Sequence, residues 1–219
     1  MKKYLFLVLG ILTVVSCSSP RMFVLPEYQG EKISDVTLVI APFIGEVTFQ
    51  SDETTDDPSE QKYQKESIDF FQYQLALAIK NVSGFNNVLP DTYSAELKFD
   101  EKMVPETGKK TFPLKLPVSE TRIGFESSLP DFILFIEDLR LAIFLETSTP
   151  MVGKGEITKK TLTCAAKYVI WDNTSNRPVQ YGWDESRESN IMSFVTPSMW
   201  HNVIKDFARK LIRGGPFQK

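Results

Sequence analysis

Two pairs of neighbouring carboxylates, Glu137-Asp138 and Asp184-Glu185, are the residues of this 219-residue chain best suited by type to acid–base chemistry. Two carboxyl groups flanking a glycosidic bond can protonate the leaving oxygen and attack or activate water on the other side, which would suit a cell-wall polymer. Both pairs fall in segments that read as strands, where successive side chains point to opposite faces. Neither pair therefore converges by itself, and only pairing across a sheet would assemble a site. His201 is the single histidine. That excludes a metal centre built on two or three imidazoles, and a serine or cysteine triad would have to use this one residue. It sits in a helical pattern three residues after Ser198, no Gly-x-Ser-x-Gly elbow occurs anywhere, and it reads as a helix-surface histidine. In "MVGKGEITKKT", Lys154 lies between the glycines and the spacing fits neither a phosphate-binding loop nor a dinucleotide fingerprint, so the stretch reads as a hairpin turn. Asp52, Glu53, Asp56, Asp57 and Glu60 invite a calcium reading, but the fixed spacing and glycine of a calcium loop are missing. Residues 45 to 65 are expected to be a mobile, solvated loop. Tyr168, Trp171, Tyr181 and Trp183 could form a stacking platform for a glycan or peptide, although cross-strand aromatic pairing is the commoner explanation. No catalytic residue, metal ligand or cofactor is expected from these groups.

Chemistry of another kind is written near the amino end. Met1-Lys2-Lys3 precedes an apolar stretch from Tyr4 to Val15 and then small residues, the three parts of a secretory signal. About twelve apolar residues are too few to cross roughly 30 Å of hydrocarbon, which takes about twenty, so residues 1 to 16 are expected to be removed. Val14-Val15-Ser16-Cys17 resembles the lipobox of bacterial lipoproteins. The resemblance implies that the Cys17 thiol takes a diacylglycerol and becomes the first residue of the mature chain. Each buried methylene of its acyl chains contributes about 0.8 kcal/mol, so two or three chains hold a domain on a membrane almost indefinitely. Ser18 stands where, by resemblance to enterobacterial sorting, an Asp would retain the protein in the inner membrane. The periplasmic face of the outer membrane is therefore expected, with the outer leaflet of the inner membrane and the cell surface as the other placements. The alternative is an ordinary secretory signal in which Cys17 happens to lie near the cleavage point or pairs with Cys164. With Cys17 acylated, Cys164 has no partner in the chain, and a disulfide framework is excluded despite the oxidising compartment.

Composition limits what such a domain can be. A hydrophobic content of 42% with 24% charged residues is that of a globular chain rather than a disordered one. Loss of Lys2 and Lys3 with the leader takes the formal net charge from −3 to −5. That argues against a nucleic-acid surface, which needs a basic face to release phosphate counterions.

The elements that would position these residues follow from periodicity. Residues 17 to 34 read as lipidated terminus and tether, and residues 35 to 215 as one globular domain. "VTLVIAPF" is a buried first strand, "ESIDFFQYQLALAIKNVSG" an amphipathic helix ending at Gly84, "FNNVLP" a second short strand, and "DTYSAELKF" a turn into a short helix. Residues 102 to 130 carry Pro105, Pro113, Pro117 and Pro130, and read as an extended surface excursion with an edge strand. A sharper reading makes it a docking segment with Phe112, Leu114 and Leu116 as anchors, since these would otherwise be odd residues to display. "DFILFIEDLRLAIFLET" is a long strand with a bulge near Glu137-Asp138. "TLTCAAKYVIWD" alternates with Leu162, Cys164, Ala166, Tyr168 and Ile170 on one face, which makes Cys164 a small core residue. "DNTSNRP" turns the chain into "VQYGWDES". A closing helix has Thr196 as N-cap, Pro197 in its first turn, a stripe of Trp200, Val203, Ile204, Phe207 and Leu211, and Gly214-Gly215 as its stop. Lys205, Arg209, Lys210 and Arg213 suit its dipole and need no ligand. The expected fold is an α/β (α+β) two-layer sandwich: a mixed or antiparallel sheet of about five strands, packed by an N-terminal and a C-terminal amphipathic helix.

The "VIAPF" strand, the "LALAIKN" helix, the "DFILFIEDLRL" strand, the "YVIWDNTSNRPVQYG" hairpin and the closing "VIKDFARKLI" helix run in this order over roughly residues 36 to 213. This pattern is similar to the small periplasmic α/β domain of several lipoprotein families: the curli-secretion lipoprotein CsgG, activators of penicillin-binding proteins, and auxiliary lipoproteins of lipid-transport ABC systems. The resemblance implies a non-enzymatic domain that binds another envelope protein or assembles into a ring of its own copies. The region 102 to 130 is longer than the pattern requires, and no long amphipathic hairpin suited to a pore is present, so a secretion channel is not implied. The expected function is that of a lipid-anchored envelope adaptor. The alternative is a ligand binder or hydrolase acting on cell-wall or lipid substrates through Glu137, Asp138 or Asp184.

Overall fold

The computed structural model describes residues 22–51, 58–91, 97–106, 110–125, 129–148, 157–190 and 197–219. Cys17, Thr196 and the turn at residues 149–156 lie outside the described residues. The strands are β1 (Met22–Val24), β2 (Thr37–Ile40), β3 (Ile44–Ser51), β4 (Asn87–Pro90), β5 (Phe99–Pro105), β6 (Thr111–Pro117), β7 (Phe132–Ser148), β8 (Ile157–Asp172) and β9 (Arg177–Asn190). The α-helices among the described residues are α1 (Pro58–Val82) and α2 (Pro197–Ile212), beside a single 3-10 turn at Pro26–Tyr28. Among the described residues the main sheet has seven strands rather than about five, in the order β1-β9-β8-β7-β2-β4, with β3 also on β7. It is mixed. The long strands β7, β8 and β9 pair antiparallel with one another and with β1, while β2 runs parallel to both β4 and β7, and β3 parallel to β7.

β7 organises this sheet because its 17 residues offer more edge than one short strand can fill. β2 covers its first part, with Leu38, Val39 and Ile40 opposite Phe132, Ile133 and Leu134, and β3 covers the part from Glu137 to Ile143. The segment expected as a solvated loop is therefore partly a strand, and Val47 and Phe49 of β3 pack on the core. α1 likewise starts at Pro58, well before the apolar spacing that marks its second half.

Both helices pack on one face. Phe71, Leu75 and Ile79 of α1 and Val203, Phe207 and Leu211 of α2 close over Leu38, Ile40, Leu134, Ile136, Tyr168 and Ile170. The stripe read for α2 is buried throughout, and Gly214 ends the run at a φ of 74°, a left-handed conformation that costs glycine nothing.

The opposite face requires a correction to the two-layer expectation. Ile133 and Phe135 alternate with Leu134 and Ile136 in β7, so the strand is apolar on both sides and both must be covered. The cover is the β5–β6 hairpin, an antiparallel pair running from Phe99↔Pro117 to Pro105↔Thr111. The described part of residues 102 to 130 is thus no mere surface excursion but supplies a third layer. Leu114 is 1% exposed and Leu116 8%, both packed with Val104, Ile123 and Phe125 against Val39, Ile133, Phe135, Val169, Trp171 and Tyr181. Phe112 is half-buried with its ring edge-on to Tyr181 at 6.3 Å. These three residues face the sheet rather than solvent, and covering the sheet accounts for their apolar character. The loop after β6 is pinned by buried Asn173, whose amide donates to the carbonyls of Ile123 and Pro130, both at 2.9 Å, and accepts from the Ile123 N–H at 2.7 Å.

Residues outside 35 to 215 also pack on the sheet and its core. β1 is an edge strand of the sheet, Tyr28 is buried in the core, and Phe217 is fully buried, stacked on Phe85 at 4.6 Å.

Candidate functional site

The bulge in β7 is where the structure gathers the carboxylates that could do chemistry. The register against β8 shifts between Glu137 and Arg140, and Asp138 takes a φ of 53°. An extra residue in a left-handed conformation re-aims its side chain, so the alternation that would send Glu137 and Asp138 to opposite faces fails here. Both now meet Lys167 of β8, whose Nζ lies 2.9 Å from Asp138 Oδ2 and 3.7 Å from Glu137 Oε1. Lys115 of β6 adds its Nζ at 3.8 Å from Glu137 Oε1, and its backbone N–H donates to Glu137 Oε2 at 2.9 Å. The Glu46 N–H donates to Asp138 Oδ1 at 3.3 Å. Gly45 completes the fit: it has a φ of 75°, and a Cβ there would stand 2.6 Å from Asp138 Oδ1.

Two carboxylates, two ammonium groups and two backbone donors thus balance one another. Burial pushes the Asp138 carboxyl up, but the Lys167 hydrogen bond, the Glu46 N–H and the charges of Lys167 and Lys115 together hold it below the usual carboxylate range. A group held ionised in this way is a poor proton donor near neutrality, unlike a general acid, whose pKa lies near the working pH. Glu137, with its side chain 4% exposed, is enclosed by β6. The arrangement works as an electrostatic clasp between the hairpin and the long strands.

The second pair stays divided as expected. Asp184 lies opposite Ala166, on the helix side of the sheet, while Glu185 lies opposite Ala165, on the other face, and pairs with Arg187 at 2.7 Å. The aromatic residues do not form an open platform. Tyr168 is buried on the helix side. Trp171 and Tyr181 are buried under the hairpin, where Phe23 stacks on Tyr181 at 5.2 Å. His201 is exposed on α2. Cys164 is fully buried, and burial pushes its thiol well above its ordinary value, as suits a small core residue. Among the described residues no three His, Cys, Asp or Glu side chains group to hold a metal ion. None of the described helices is long and apolar enough to cross a membrane.

A surface that sequence reasoning passed over lies on α1. Phe70, Tyr73 and Leu77 are 43%, 55% and 42% exposed, while Phe71, Leu75, Ala78 and Ile79 of the same helix are in the core. Spacings of three and four residues put the exposed trio on one outward stripe. The signal was present in "FFQYQLALAI", which is apolar around more of the helix than one buried face needs.

No protein-family model matches the sequence, and no curated protein matches it. Among solved structures, the chain is similar to a homolog of the neuraminyllactose-binding hemagglutinin from Helicobacter pylori, at 9% identity and a TM-score of 0.37 over 84% of this chain and 83% of that one. It is similar to PelC, a dodecamer from Paraburkholderia phytofirmans, at 8% identity and a TM-score of 0.37 over 91% and 98% of the two chains. It is also similar to a minor lipoprotein from Acinetobacter baumannii, at 10% identity and a TM-score of 0.35 over 84% and 96%. At these values the likeness assigns neither a family nor an activity to this chain.

Proposed function

We propose that this chain is a lipid-tethered adaptor of the bacterial envelope, held by acylated Cys17 at the periplasmic face of the outer membrane, that binds another envelope protein and carries out no chemistry of its own. The resemblance of Val14-Val15-Ser16-Cys17 to a lipobox supports the anchor. The observation that carries the adaptor reading is the stripe of Phe70, Tyr73 and Leu77 on the outward side of a helix whose other side is core. Large aromatic side chains contribute much of the affinity at protein interfaces when a partner excludes water from them. The partner is taken to be a protein with an apolar groove that accepts one helix face. Glu137 and Asp138, two of the carboxylates that could serve a hydrolase, are engaged in the clasp at the bulge.

The reading is tested by solubilising envelopes that carry the full chain, or the chain with Phe70→Ser, Tyr73→Ser and Leu77→Ser, and identifying co-purified proteins after crosslinking. The expected result is one partner crosslinked to the wild type and lost in the variant, at an unchanged melting temperature. Retention of every partner by the variant would overturn the role of α1. A crosslink solely to a second copy of the chain would replace the adaptor with a homo-oligomer.

A further inference from the structure

A cavity of about 310 Å³ opens where the carboxyl end of α2, the end of α1 and the last residues of the chain meet, lined by Val82, Arg209, Ile212, Arg213, Gln218 and Lys219. Three of the six lining side chains are cationic and none is acidic. The carboxylate of α2, Asp206, accepts from Ser186 at 2.8 Å and pairs with Lys210 at 2.8 Å, and it is close enough for the charge of Arg209 to help hold it ionised. Neither arginine has a carboxylate within ion-pair distance among the described residues. Lys219 spends one of its donors on the Lys80 carbonyl at 3.3 Å. The Gln218 carbonyl oxygen accepts the Gly214 N–H at 2.8 Å, which fixes the amide and leaves its NH2 as a further donor.

The helix dipole explains cations in the last turn of α2 but not this site. Arg213 and Lys219 lie beyond the helix, and they share a concavity with Arg209 in a chain whose overall charge is negative. Like charges around one cavity repel each other, Asp206 offsets Arg209 only in part, and an entering anion relieves the repulsion. Guanidinium forks match the oxygens of a phosphate, and two of them with an ammonium outweigh the opposing carbonyl end of the helix.

The position of the cavity points to the source of that phosphate. β1 begins next to Gly214, the chain neighbour of the lining residue Arg213: the Met22 methyl lies 3.3 Å from where a Cβ on Gly214 would stand. Met22 is five residues after Cys17, a span of at most about 18 Å. This step rests on the reading that Cys17 is acylated, because acylation then holds this end of the domain at the bilayer surface. We propose that the cavity formed by Arg209, Arg213, Gln218 and Lys219 binds the phosphate of an anionic phospholipid headgroup in the membrane that carries the anchor.

The test uses the mature chain with Cys17→Ser, so that no acyl chain drives binding, and measures flotation with vesicles of phosphatidylglycerol and phosphatidylcholine or of phosphatidylcholine alone. Flotation with the anionic vesicles only is expected. Arg209→Gln with Arg213→Gln should lower the apparent affinity tenfold or more. Lys205→Gln, which removes an exposed charge of α2 outside the cavity, should leave it within twofold. Equal losses in the two variants would overturn the site in favour of diffuse charge, and undiminished flotation of the arginine variant would overturn it outright. Inorganic phosphate that protects the domain thermally while vesicles fail to bind would overturn the headgroup as the source. The mass of the mature amino-terminal peptide from the unmutated protein reports acylation separately. An unmodified Cys17 with intact vesicle binding would refute the anchor and leave the cavity standing.

Discussion

Asp138 shows how one residue's backbone decides what its side chain can do. In a regular strand it would point away from Glu137; at a φ of 53° it shares Lys167 with it. Asn tolerates the same left-handed region, so Asp138→Asn removes the charge without refolding the bulge. The folded-state pKa of Asp138 is depressed, below the value of about 3.9 for an unfolded Asp. Its ionised form therefore contributes stability above the unfolded pKa, and that contribution is lost as pH falls through the folded one. With the side chain 31% exposed, water screens the pair, and a loss of about 1 kcal/mol in the variant is expected at neutral pH. Urea midpoints at pH 7 and pH 3 check this: the variant should fall below wild type at pH 7 and converge with it in acid, and a gap of equal size at both would refute the ionic clasp. The sequence showed that a bulge was due near these residues, because two charges interrupt an apolar run. It did not show the consequence, which depends on Lys115 arriving from a hairpin outside the main sheet.

At the level of elements, what was legible depended on whether the signal is local. α2 could be read almost residue by residue, because its stripe and stop lie within one continuous stretch. The β8–β9 hairpin was equally plain: the Asp172 carboxylate accepts from the Thr174 and Ser175 N–H groups at 2.8 and 2.9 Å, as a turn former should. β1 was missed because three residues carry no period of their own, and β3 because it runs into an acidic stretch that reads as loop; the pairing of both, with β9 and β7, is set at long range. The β5–β6 hairpin was missed for another reason. Its prolines suggested surface, whereas the requirement for a second cover was written in β7, where Ile133-Leu134-Phe135-Ile136 leaves no polar face. Leu114 tests that account. As a buried side chain under a thin layer, its replacement by alanine should cost about 2–5 kcal/mol, read as a lower urea midpoint for the whole domain. A change under about 0.5 kcal/mol would mean that the hairpin lifts away and that Leu114 is available to a partner after all.

For the whole molecule, if Cys17 carries the proposed lipid, the decisive feature is how short the connection between anchor and domain would be. A tether running to residue 34 would let the domain roam; instead the sheet starts at Met22, so the chain from Cys17 is five residues long. Any pull on the lipid would be borne by β1, which is held by three paired positions on β9, by the Leu25 N–H on the Val179 carbonyl at 2.9 Å, and by Phe23 stacked on Tyr181. Removing residues 18–24 would strip that edge. The aromatic pair alone contributes about 0.5–1.5 kcal/mol beyond its buried area, and the uncovered row of backbone groups on β9 becomes a template for other strands. A chain lacking these residues should therefore melt several degrees lower and self-associate in a concentration-dependent way, measured by calorimetry and sedimentation velocity. A monomer with unchanged melting would mean that β1 is a passive extension. The short tether would then act as a longer one, and the case for holding the arginine-lined cavity at the bilayer would weaken with it.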